Sequence, residues 1–194
     1  MSTSQPYHHG NLRSTLLEAA EAVVDAGAER TLSLRELARD AGVSASAPYK
    51  HFPTREALLQ ALAVRWMAQF VDEQVAAGSD PDPARAVRGA GMAYVRWAIQ
   101  HPHRFAALFT PPLSEHPDPS LQAQVTRHTE LLSQLARSAQ HAGLVEATPS
   151  APVRLWATVH GLATLANLGL IPTAAVEGAI RDTLRSTADR PSTR

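Results

Sequence analysis

Cysteine is absent from all 194 residues, which removes disulfide staples and thiolate metal sites from consideration. Lysine occurs once, at Lys50, so the basic surface is built from arginine. Aromatic residues make up only 5% of the chain, and 18 basic side chains are balanced by 18 acidic ones. That balance excludes a protein that coats nucleic acid by bulk positive charge, but it leaves room for a focused patch. No stretch approaches the roughly 20 apolar residues that a membrane span needs, so no membrane partner is expected. The first residues, MSTSQPYHHG, lack the apolar segment of a secretory leader, so a cytoplasmic location is expected. Nucleophile-elbow, phosphate-loop and helical zinc-pair motifs are also missing. The expectation is a chain with no catalytic residues, no cofactor and no metal.

What is present is helical punctuation. The most informative run is Ser33 to Leu59. Ser33 and Glu36 fit a capping box, in which each side chain bonds an orphan N–H at a helix start. Leu34, Leu37, Ala38 and Ala41 fall at helical spacing on one face. Gly42 stands where a helix terminus needs a left-handed residue, Val43 returns to the core, and Ser44 can cap a following helix. This is the sequence form of a helix-turn-helix, whose second helix enters the DNA major groove.

The next residues, Tyr49-Lys50-His51-Phe52-Pro53-Thr54-Arg55-Glu56-Ala57-Leu58-Leu59, resemble the signature of the tetracycline-repressor (TetR) family of bacterial transcriptional regulators. The resemblance runs from about Asn11 to Leu62. It implies DNA contacts at Arg35, at Ala45, Ser46 and Ala47 in the first turn of the reading helix, and at Tyr49, Lys50, His51, Thr54 and Arg55. Arg35, Lys50, His51 and Arg55 cluster there, although the first 65 residues hold seven basic and seven acidic side chains. Pro48 departs from the family's usual apolar residue. Its ring can fill an apolar slot but removes an N–H from a short helix, so the reading helix is expected to start late or bend. Ala45 and Ala47 offer only methyl groups, which suit a thymine methyl.

The rest of the chain reads as further helices without strands or repeats. The expected divisions are an arm over 1–10, a DNA-binding head over 11–57, a ligand-binding and dimerisation body over 58–186 and a tail over 187–194. Helix 11–27 should bury Leu12, Leu16, Ala19, Ala20 and Val23. Later helices are expected over 54–77, 83–100, 102–109, 120–142, 150–170 and 172–185, with Thr54, Asp82 and Ser150 as caps. His101-Pro102-His103-Arg104-Phe105 and Trp156-Ala157-Thr158-Val159-His160-Gly161 resemble the WHG class of regulatory domain in TetR-like proteins. That resemblance implies that the last two helices pair with those of a second subunit. Leu155, Val159, Leu162, Ala163, Ala166 and Leu170 supply an apolar face for such a homodimer.

Trp66, Phe70, Met92, Trp97, His128 and His160 are the candidate walls of a cavity for a small lipophilic effector. For His128 and His160 a hydrogen-bonded core reading is favoured, although in a pocket either could orient a ligand. His101, His103, Glu115 and His116 lie near one another but lack zinc-ligand spacing, so a loop reading is favoured over a metal. The reading is an all-α regulator that binds a double-stranded DNA operator, a repressor released by its effector. A helical-bundle enzyme or a protein-binding adaptor is the alternative.

Overall fold

Proline and glycine set the element boundaries. The computed structural model describes residues 12–110 and 118–184, and the described residues are helical throughout with no strand. The order is α1 (Leu12–Asp25), α2 (Leu34–Asp40), α3 (Arg55–Ala77), α4 (Pro83–Gln100), α5 (Pro102–Leu108), α6 (Pro119–His141), α7 (Ala151–Asn167) and α8 (Thr173–Thr183). Short 3-10 turns add Glu29–Thr31 and Pro48–Lys50. The expected arm, the Asn11 cap, the tail, Glu115 and His116 lie outside the described residues.

The local signals explain the best-defined starts. Thr54 sits in extended backbone and its hydroxyl accepts from Ala57 N at 3.1 Å. Asp82 accepts from Arg85 N at 2.9 Å ahead of Pro83, whose missing N–H would have had no partner anyway. Asp118, not Ser120, starts α6, because its carboxylate accepts from Leu121 N at 2.8 Å while Pro119 takes the first helical position. Ser33 occupies the cap position of α2 in extended backbone, but its side chain makes no capping bond, so the capping box does not form. Ser150 is likewise not a side-chain cap, and α7 stops at Asn167 rather than 170.

Gly42 has φ 66°, a conformation costly for any residue with a Cβ. There the N–H of Val43 reaches Ala38 O and that of Gly42 reaches Arg39 O, closing α2 in a double-bonded left-handed cap. Gly89 serves packing instead. A Cβ there would lie 2.2 Å from the Ala77 carbonyl oxygen, so α4 can cross the end of α3 only with glycine.

The amino-terminal helices and the rest share one core. Leu16, Leu37, Phe52, Leu58, Leu62, Phe70, Tyr94, Trp97, Phe105 and Ile180 belong to a single buried cluster. In α1 the buried side is Leu16, Leu17, Ala20, Glu21 and Val24, so Leu12, Ala19 and Val23 flank the stripe rather than form it. α3 runs from the amino-terminal unit into the body, and α4 packs against α3, α6, α7 and α8. A second small cluster of Val87, Ala136, Ala139, Val145, Ala151 and Leu184 closes the opposite end.

Candidate nucleic-acid interface

The segment after Gly42 is shorter than a regular reading helix. Residues 45–47 form a turn, Ala47 N bonding Ser44 O at 2.9 Å, and Pro48–Lys50 complete one 3-10 turn. Pro48 is buried and fills the apolar slot, which anchors the turn while denying it an N–H. Phe52 is buried behind it, and Arg13 of α1 lies over the Phe52 ring at 5.3 Å. The expected Ser44 cap of an α-helix is therefore absent. Its hydroxyl sits 3.3 Å from that of Ser46.

This anchoring leaves one face bare. Arg35, Ala45, Ser46, Tyr49, Lys50, His51 and Thr54 are exposed and Ala47 is half-buried. The Tyr49 ring stands outward, whereas its neighbour Phe52 turns in. The exposed face thus carries two cations, a phenol, an imidazole, two hydroxyls and two methyl groups, with the start of α3 beside them. N–H groups at a helix start favour a phosphate. Arg55 is placed differently. Its guanidinium donates to Leu32 O at 3.2 Å and to Glu29 O at 2.7 Å, with the Glu29 carboxylate at 3.7 Å. It ties α3 to the 29–32 turn and holds the interface in shape. Arg39, exposed and beside Asp40 at 3.3 Å, adds a cation that sequence reading passed over.

A buried ionic group joins this unit to the body. Glu21 of α1 is buried, accepts from Trp66 Nε1 at 3.1 Å and lies 3.4 Å from Arg65 of α3. Arg104 of α5 contacts Glu21 and grips Asp25 with two bonds of 2.7 and 2.5 Å. The Arg104 hydrogen bond holds the Asp25 carboxyl below its ordinary range, burial opposing this in part. Arg104 is itself pushed up, mainly by the bond to Asp25. Trp66, an expected cavity wall, is thus wholly buried and committed to this junction.

The other expected wall residues divide. Phe70 packs against Tyr94, Trp97, Phe109 and His128 with ring centroids 4.7 to 6.2 Å apart. His160 packs against Tyr94, Phe105, Phe109 and Trp156. Phe70, Trp97, His128 and His160 therefore share one ring cluster, and Met92 is half-buried at the core's edge. The Tyr94 hydroxyl accepts from Trp156 Nε1 at 3.3 Å and lies 2.8 Å from His160 Nδ1. Burial pushes the Tyr94 phenol up, lowers His160 and drives His128 down to about 4. A cleft of about 810 Å³ lies elsewhere, among Val145, Arg154, Leu155, Thr158, Ala179 and Asp182. Among the described residues, no three His, Asp or Glu side chains gather closely enough for a metal. His103 instead covers Gly27, and the His101 ring packs tilted against Trp97 with centroids 5.1 Å apart.

The apolar residues of α7 divide between core and surface. Ala163 is fully buried in its own subunit, Val159 and Leu162 pack on the main core, and Leu155 packs on the small cluster. Only Ala163 is thereby closed to a second subunit: Leu155, Val159 and Leu162 are half-buried, and Leu170, of the same expected face, is fully open. Val153, Leu168 and Leu170 stand 62%, 66% and 68% exposed, with Leu165 beside them and open space above Gly161. Ala166 is half-buried at the border.

Comparison with known proteins agrees with this architecture. Residues 16–62 match the pattern of "Bacterial regulatory proteins, tetR family", and residues 87–186 match that of the "Tetracyclin repressor-like, C-terminal domain". A protein of unknown function from Rhodococcus sp. RHA1 is 32% identical, with a TM-score of 0.80 over 94% of this chain and 97% of that one. A TetR family transcription regulator from Marinobacter aquaeolei VT8 is 21% identical, with a TM-score of 0.70 over 93% and 97%. The TetR family regulator PfmR from Thermus thermophilus is 21% identical, with a TM-score of 0.68 over 90% and 99%. No match is found among curated proteins. No helix among the described residues is long and apolar enough to cross a membrane. With both family patterns matched in order and a relative above 30% identity along nearly the whole chain, this protein belongs to the TetR family and is a DNA-binding transcriptional regulator, not an enzyme.

Proposed function

We propose that the chain is a cytoplasmic repressor that binds a pseudo-palindromic operator as a homodimer and is released by a small lipophilic effector. The head comprises 11–57 and the body 58–186. The observation that carries the reading is the bare face after Gly42, where Arg35, Ser46, Tyr49, Lys50 and His51 stand exposed around an anchored turn. Lys50 and Arg35 contact phosphates, Tyr49 and His51 support the backbone contacts, and Thr54 presents the start of α3 to a phosphate. Ser46 is the polar base reader, flanked by the methyl groups of Ala45 and Ala47. Arg55 acts by holding the 29–32 turn.

The dimer is supported by uncovered apolar side chains at both ends of α7, Val153 in its first turn and Leu165, Leu168 and Leu170 at and just beyond its last, which a second subunit would cover. Two-fold symmetry in the protein demands matching symmetry in the DNA, with half-sites about one helical turn or a multiple apart. Effector control requires a ligand that prefers the DNA-incompetent state, since equal affinity for both states shifts nothing. The test is a gel shift with inverted repeats found upstream of the chain's own gene or a divergent neighbour. Binding of one repeat, abolished by scrambling either half, is expected. Equal binding to scrambled duplexes would defeat operator recognition.

A further inference from the structure

In the body core Gln74 donates to Phe70 O at 2.9 Å, and five further polar side chains at or beside the rings fall into two groups. Tyr94, His160 and Trp156 satisfy one another through the 2.8 and 3.3 Å contacts at the Tyr94 hydroxyl. Gln124 Oε1 and His128 Nε2 are buried with no hydrogen-bond partner. They lie one turn apart on α6, on the same face of that helix. His128 is only 2% exposed, and its ring lies 5.4 Å from Phe70, 6.1 Å from Tyr94 and 6.2 Å from Trp156. A buried polar atom without a partner is costly and calls for a reason. The adjacent closed triad shows that this core accommodates polar groups when they are paired.

We propose that this pair of atoms is the recognition point for a neutral, mainly apolar ligand bearing a hydroxyl group. The hydroxyl donates to Gln124 Oε1 and meets His128 Nε2, while the apolar part lies among Phe70, Tyr94 and Trp156. The inference rests on the effector reading above and names the ligand's class. A hydroxyl fits because it donates to Gln124 Oε1 and accepts from His128 in the tautomer that carries the ring proton on Nε2. A charged ligand does not fit, because the neighbouring charges are engaged elsewhere or face out. Arg127 of α6 is paired with Asp72 of α3 at 2.6 Å, Arg154 of α7 lies 3.6 Å from Glu146, and Arg96 of α4 and Glu73 of α3 are exposed. A buried ligand charge would find no counter-charge. His128, neutral at ordinary pH because burial lowers it to about 4, supplies none. The rings that close the site are those at the cluster's edge: Phe109, Trp156 and His160 are half-buried, whereas Phe70 and Tyr94 are wholly buried. Entry therefore displaces the edge rings, opening a pocket that the ligand itself stabilises.

The probes are 4-butylphenol, butylbenzene and 4-butylbenzoate, added to the full chain without DNA and followed by thermal shift and tryptophan fluorescence. The phenol is expected to bind about tenfold more tightly than butylbenzene, and the benzoate more weakly than either. Gln124→Met and His128→Phe each remove one unpaired atom while keeping bulk. Either should erase the phenol preference while leaving the ligand-free melting temperature unchanged or raised. Equal binding of phenol and butylbenzene, or an undiminished preference in both variants, would overturn the proposal. So would a crystal structure showing one water bridging the two atoms in protein soaked with the phenol. Operator release is measured separately by fluorescence anisotropy. Phenol binding without release leaves the site standing and counts against effector-released repression, whereas absence of a phenol preference in the parent protein, with operator binding intact, counts against the site alone.

Discussion

Replacing Arg104 with methionine should uncouple the DNA-binding unit from the body while leaving every proposed DNA contact in place. The substitution keeps the apolar stem beside Trp66 and deletes the charge that bridges Glu21 and Asp25. Removing one member of a buried ion pair costs about 3–5 kcal/mol. Two features reduce that here. Glu21 retains Trp66 Nε1 and Arg65, and Asp25, whose side chain is 41% exposed, returns to water, where such a pair is worth at most about 1 kcal/mol. A loss of about 2–3 kcal/mol remains, equivalent to a melting temperature roughly 4–12 °C lower for a chain of this size. Urea denaturation of the parent, Arg104→Met, Glu21→Gln and the double variant forms a cycle. The single losses should be non-additive by at least about 1 kcal/mol. Operator affinity should also fall, because the orientation of α1 against α5 is no longer fixed. A loss below about 0.5 kcal/mol, or additive single effects, would refute the clamp.

Other consequences follow from single residues. His128 is neutral in the folded protein with its value lowered to about 4, whereas the unfolded chain takes up a proton near 6.5. Stability is therefore complete above about pH 6.5 and is lost as pH falls toward 4, by about 3 kcal/mol in all. His128→Phe should flatten that limb in a melting series across pH, and a parent protein equally stable at pH 4.5 and 7 would contradict it. Gly89→Val should destabilise by several kcal/mol or block folding, since even a Cβ meets the Ala77 carbonyl, and near-parental urea unfolding would be inconsistent with that crossing. Leu168→Glu should convert a dimer to a folded monomer in sedimentation, because the side chain is exposed in one subunit and the proposed dimer would cover it. An undisturbed dimer would move the interface elsewhere.

The helices are legible in sequence where the signal is local. Thr54 and Asp82 cap as expected, and α4 begins and ends at the residues expected, because caps, prolines and glycines act within one turn of chain. Ser33 and Ser150 fail as side-chain caps for the converse reason. Cap-forming residue types are necessary for a side-chain cap but do not fix the rotamer. The reading element shrinks to a 3-10 turn where Pro48 removes a donor, a reduction visible in sequence although its extent is not. The ionic junction is invisible there, since Asp25 and Arg104 stand 79 positions apart and only tertiary packing joins them. The face of α7 expected to meet a second subunit is shared between the subunit's own core, which takes Ala163, and open surface, which keeps Leu170, because that helix is apolar on most sides. Periodicity alone cannot say whether Val159 and Leu162 or Val153 and Leu168 look inward. Gln124 carries no signal at all, as an isolated glutamine on a helix reads as surface.

Central to the proposed function is a focused cationic face, rather than net charge, that docks this chain on a specific duplex. Its most direct test is the salt dependence of operator affinity for the parent and for Lys50→Ala. Each phosphate contact contributes about 0.9 to the slope of log K against log salt. Losing Lys50 from both heads of a dimer should therefore lower the slope by nearly two units and weaken operator and non-operator duplexes alike. An unchanged slope and affinity would contradict the proposed docking.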